Sequence, residues 1–219
     1  MVTPDIVSED DIAKLIIPDD LPNEEPTFKA YIEAKVYDKE GHIIQHHRQP
    51  MRSLTQYFLA FISAFLAGTF AVGSNNTAQS ILVNVLGLPS QASNSANCAG
   101  IWWDYTIQLG SGSQAFSLTL SGLAAPIANG TGSGQLSYLG KSVSFAGSSI
   151  FLGITVQNFS SSTINVTEIG LFWNMGIICS RCNATYNYNF LFSYDTFSTA
   201  ISIPSGSLAT FQITLTFSG

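Results

Sequence analysis

"STINVTEIGLFW", residues 162–173, carries two alternations that do not share a phase. Ile164 and Val166 lie on one face of an extended strand, whereas Ile169, Leu171 and Trp173 fall on the other. The phase turns over around Glu168–Gly170. A β-bulge there, with Gly170 supplying the unusual backbone angles, reconciles the two halves; so does a strand covered on both faces. In either case Glu168 stands among apolar residues, and its carboxyl group needs buried hydrogen-bond partners.

The segments around it alternate in the same way. "IWWDYTIQL" sets Ile101, Trp103, Tyr105, Ile107 and Leu109 on one face. "FSLTL" (116–120), "IFLGITVQ" (150–157), "YNYNFLF" (186–192) and "FQITLTF" (211–217) follow, with weaker runs at 79–87, 136–145, 163–173 and 199–203. The spacers "GSGSQ", "NGTGSG", "FAGSS" and "IPSGS" are turn-forming. About nine short strands at this spacing predict a mainly β fold, an antiparallel β-sandwich or jelly-roll-like domain over 73–219.

Ahead of that domain the chain changes character. Residues 1–27 read as an extended acidic arm broken by Pro4, Pro18, Pro22 and Pro26. Residues 28–52 read as a β-hairpin: "FKAYIEAKVY", a "DKEG" turn with Gly41 free to take a positive φ, then "HIIQHH". Residues 53–72 read as an apolar helix, with Ser53 as its N-cap. The N-terminal residues lack the basic and apolar regions of a secretory signal.

Charge is distributed unevenly. The first 52 residues hold eleven acidic and six basic side chains, whereas residues 53–219 hold only Lys141, Arg181, Asp104, Glu168 and Asp195. Solubility there rests on Ser, Thr and Asn, which do not titrate. The net charge of −6 and the lack of a basic cluster argue against nucleic acid as a partner.

No enzyme site emerges. The three histidines, His42, His46 and His47, all precede the β domain, so no catalytic triad fits within it. They also alternate between the two faces of one strand, which prevents three of them from converging on a metal. "CSRC" (179–182) has metal-ligand spacing but finds only Cys98 as a third thiol. No metal or cofactor is expected. Cys98, Cys179 and Cys182 are disulfide candidates, either closing the 179–182 loop or joining Cys98 to one of the pair. Asn75, Asn129, Asn158, Asn165 and Asn183 head N-x-S/T sequons, candidates for glycosylation.

The order of elements resembles that of virion structural proteins of archaeal viruses and related tail and fibre proteins. The matching residues are Asp38, Gly41 and Ile43 in the hairpin, then Ser53 and Phe58 at the helix start. A strand pair follows with Asn158, Ser160, Ile164, Val166, Glu168, Ile169, Gly170 and Leu171. The resemblance implies an exposed subunit of a capsid turret, tail nozzle or fibre. Such a subunit assembles with itself as a ring or spike, contacts other virion proteins, and meets a host surface or membrane from an extracellular virion. This chain departs from the pattern in the helix, which is apolar from Phe58 to Leu66.

That departure raises the alternative of a membrane-anchored cell-surface binding module with a glycosylated β-sandwich outside. Nineteen uncharged residues, 54–72, approach the roughly 20 that span a bilayer. Against a span, Tyr57, Phe58, Phe61, Ile62, Phe65 and Leu66 form one bulky stripe, and Ala60, Ala64 and Gly68 form a small-residue stripe. A helix laid between packed elements, or at a subunit interface, uses that asymmetry. The reading favoured here is a buried helix.

Overall fold

A computed structural model describes residues 27–59, 98–179 and 184–218. Residues 1–26, which hold most of the expected arm, lie outside them. So do most of the expected helix with Ala60, Ala64 and Gly68, the run at 79–87, and Asn75, Cys182 and Asn183.

The described residues form eight strands: β1 Thr27–Tyr37, β2 Ile43–Pro50, β3 Cys98–Gly110, β4 Ser137–Ala146, β5 Ser149–Gln157, β6 Ile164–Cys179, β7 Ala184–Ile203 and β8 Leu208–Ser218. They make a five-stranded sheet ordered β2-β1-β8-β5-β4 and a three-stranded sheet ordered β3-β6-β7, with every pairing antiparallel. The inward side chains of both sheets merge into one core. Ile32, Val36, Ile154, Phe211 and Ile213 come from the larger sheet, and Ile107, Leu109, Val166, Ile169 and Ile201 from the smaller. The described residues are therefore mainly β, two antiparallel sheets that share one core.

The hairpin expected at 28–52 forms, and Gly41 at its turn has φ 88°. It is not a separate unit. β1 pairs with β8 along its whole length, so it is an interior strand of the larger sheet. Alternation shows that one face is buried and says nothing about which strand will be the neighbour.

Side chains tie the two sheets together at both margins. On one side Gln45 of β2 donates to the Ala200 carbonyl at 3.2 Å and accepts from Ser202 N–H at 3.0 Å, while Gln49 donates to the Thr196 carbonyl at 3.0 Å. On the other, the Tyr105 hydroxyl of β3 donates to the Ser142 carbonyl at 2.6 Å, and Lys141 pairs with Asp104. Residues 53–55 run along β7: Tyr194 N–H donates to the Ser53 carbonyl and Thr55 N–H to the Phe192 carbonyl. Gln56–Leu59 then begin a helical turn, with Phe58 against Phe28 and Phe192.

The phase change in β6 has a different construction from the one its glycine suggests. The register slips between Val166 and Glu168, and over that step β7 runs from Ile201 to Thr196, so the surplus residues stand on β7. Gly170 takes no positive φ. It is small because a Cβ there would meet Leu191 Cδ1 at 2.8 Å and Leu123 Cδ2 at 2.9 Å. Those contacts belong to a second cluster on the outer face of the smaller sheet, where Leu120 and Leu123 pack on Phe172, Leu191 and Tyr194. β6 is thus covered on both faces.

What covers it is the connection 111–136. "FSLTL" (116–120), expected as a strand, belongs to this connection and forms none. Its alternation arises because Leu120 packs down while Phe116 and Leu118 stay exposed.

Candidate functional site

Glu168 holds the 111–136 strap in place. The residue is fully buried, and its carboxylate accepts three backbone N–H groups of the strap: Ala125 at 2.7 Å, Ala124 at 3.0 Å and Gly112 at 3.3 Å. Thr167 donates to the Gly112 carbonyl at 2.6 Å, and Tyr194 exchanges hydrogen bonds with the backbone of Gln114. Burial, then the neighbouring Glu168 and Asp195 charges, push the Tyr194 phenol above its ordinary pKa and keep it a donor. Every polar atom of Glu168 is engaged in holding structure, which gives it no free face for chemistry.

Several other ionisable groups also have partners, with more exposure. Asp195 is buried and accepts Arg52 N–H at 2.9 Å; burial, opposed by that bond and the Arg52 charge, pushes its pKa up to about 6. His42 pairs with Asp38, His46 with Glu33, and His47 with Gln49. Among the described residues no group of three His, Cys, Asp or Glu is placed to hold a metal. An open cleft of about 440 Å³ lies between the hairpin turn and β5 and β8, lined by Tyr37, Lys39, Thr155, Gln157 and Thr210. Asp38 also lines it, and its carboxylate accepts from the N–H groups of Glu40 and His42 and pairs with the His42 ring.

The sequons separate by environment. Asn129 and Asn165 are exposed. Asn158 departs from its expectation as a glycan acceptor. It is fully buried, its amide nitrogen donates to the Ser162 and Ile203 carbonyls at 2.8 Å each, and its amide oxygen accepts from Ser160. A sugar on that nitrogen would replace one of the two donated hydrogens and has no room in the buried site. The sequon is the by-product of an Asn–x–Ser turn in which the two side chains cap each other. Of the thiols, Cys98 and Cys179 lie on β3 and β6 and are opposite each other in the ladder.

Among the described residues the least covered feature is apolar. Inward residues of the larger sheet fall into rows across the strands, and burial fades along them. Ile32 and Ile213 are sealed, Leu152 is half-buried, and Val143 on β4 is exposed. In the next row Ala30 and Leu215 are buried, Ile150 is half-buried and Phe145 is 73% exposed. Phe28 and Phe217, paired at 5.2 Å between ring centroids, end the face half-open. A three-stranded sheet is too narrow to cover a five-stranded one, so a corner of core surface faces outward. It lies beside β4, an edge strand whose free side offers a row of backbone hydrogen-bonding groups.

Charge is also sparse around that corner among the described residues beyond Ser53. Of the five charged residues beyond Ser53, Glu168 and Asp195 are buried, Lys141 and Asp104 pair with each other, and Arg181 lies outside the described residues. No signal in the sequence marks the corner, because Val143 and Phe145 alternate like any half-buried strand.

No helix among the described residues is long and apolar enough to cross a membrane. Comparisons with protein-family models, with curated proteins and with solved structures found no match for this chain.

Proposed function

We propose that this chain is a structural protein that assembles with copies of itself, an exposed subunit of a virion appendage such as a tail nozzle, turret or fibre. The observation that carries the reading is the uncovered apolar corner formed by Val143, Phe145, Phe28 and Phe217 beside the open edge of β4. Contiguous core-type surface of this kind marks an interaction site. A second copy is the occupant its chemistry suits, since like copies meet there with little repulsion where charge is this sparse. The virion setting is drawn from the resemblance of the hairpin, helix-start and 158–171 motifs. The engagement of Glu168, Asp195 and the histidines in structural bonds supports a role without catalysis.

The test is electron microscopy and light scattering of the purified full chain without detergent. Discrete rings, spikes or fibres are the expected result. A monodisperse monomer at high concentration would overturn self-assembly. Complete partition into membranes that resists alkaline extraction would favour the membrane-anchored binding module instead.

A further inference from the structure

The end of β6 places Cys179 between two neighbours, Cys98 on β3 and Ala184 on β7. The first pairing depends on a local irregularity. Gly100 faces Ile178, so an unbroken ladder would next set Ala99 opposite Cys179. The register slips there, and Cys98 takes the place instead. Residues directly opposed on antiparallel strands have Cα atoms roughly 4.5–5.5 Å apart and share a face of the sheet. That separation falls inside the roughly 4.4–6.8 Å that a disulfide bridges.

The sequence also allows a different bond, the short loop from Cys179 to Cys182. The ladder argues for the long-range one. We propose that Cys98 and Cys179 form a cross-strand disulfide that ties the first strand of the smaller sheet to its middle strand, leaving Cys182 as a thiol. In forming the S–S bond the two thiols give up two protons and two electrons. A small-molecule disulfide such as oxidised glutathione accepts both electrons by thiolate exchange and leaves as two thiols. The bond closes a span of about 80 residues, in the range where a crosslink most restricts the unfolded chain. The inference does not depend on the assembly reading.

Trypsin cleavage after Lys141 and Arg181 puts each cysteine on its own fragment, within 53–141, 142–181 and 182–219. The full chain is equilibrated with oxidised and reduced glutathione, alkylated, and digested without reductant. The expected map joins 53–141 to 142–181, about 2 Da lighter than the two fragments apart, with 182–219 alkylated. Cys182→Ser leaves that join intact. Three unjoined fragments, or any join that includes 182–219, would overturn the proposal. The wild-type map decides the question even if a variant fails to fold.

Discussion

Ala125 donates its backbone N–H to Glu168 Oε1 at 2.7 Å, and this bond fixes the 111–136 strap against the outer face of the smaller sheet. The strap pairs with the end of β3, where Ile127 N–H donates to the Leu109 carbonyl at 2.8 Å, and the Glu168 carboxylate adds its hold on Gly112, Ala124 and Ala125. Removing that carboxylate leaves three N–H groups of the half-buried strap without their acceptor. Glu168→Ala is therefore expected to destabilise the fold by on the order of 3 kcal/mol. Denaturant unfolding is the measurement, and an unchanged midpoint would contradict the role.

Asp195 sets a pH dependence opposite to that of most carboxylates. Its folded pKa of about 6 lies above the ordinary value of 3.8, so the folded state holds the proton more tightly than the unfolded one. The stability this contributes is fully present below pH 3.8 and is lost as pH rises through 6. Between pH 7.5 and pH 4.5 the fold should gain about 2 kcal/mol from this group. Glu33 works the other way: burial raises its pKa, but bonds from Lys35 and His46 outweigh that and lower it, so its contribution is lost in acid. The difference between wild type and Asp195→Asn across that range isolates the effect. Equal pH slopes in the two proteins would refute it.

Phe145→Glu puts a charge at the centre of the uncovered corner. The side chain is 73% exposed, so the stability of the fold should change by no more than about 0.5 kcal/mol. Light scattering should show the assembled species replaced by single subunits. Unaltered assembly alongside an unaltered melting temperature would move the interface elsewhere.

Asn158→Ala removes two donated and two accepted bonds from a sealed site beside the β5–β6 turn. A loss of about 2–4 kcal/mol is expected, because the buried Ile203 carbonyl loses its Asn158 donor and the buried Ser160 N–H and hydroxyl lose their acceptor. Thermal melting followed by circular dichroism tests it, and a shift under about 3 °C would contradict it.

The strands were legible in this sequence because alternation is a local property. β3, β5, β6 and β8 all contain the runs that predict them, and Glu168 stood out as a charge set among apolar neighbours. Pairing was not legible. Nothing in "FKAYIEAKVY" says that β1 will sit between β2 and β8, and two runs at 186–192 and 199–203 gave no sign of joining as the single strand β7. "FSLTL" shows the limit from the other side, since a strap can alternate as a strand does when only one of its faces finds a partner. The uncovered corner depends on the difference in width between two sheets, a property of the finished topology that no local window contains.

The low charge of β3–β8 also fixes how the protein responds to electrolyte. Ionic strength acts on exposed charges by shortening the Debye length, from about 8 Å at 0.15 M to about 3 Å at 1 M. Across β3–β8 there is almost nothing for such ions to screen. A contact made through Val143 and Phe145 should hold equally in dilute buffer and in brine. Sulfate, which strengthens apolar burial by exclusion from surfaces, should tighten it.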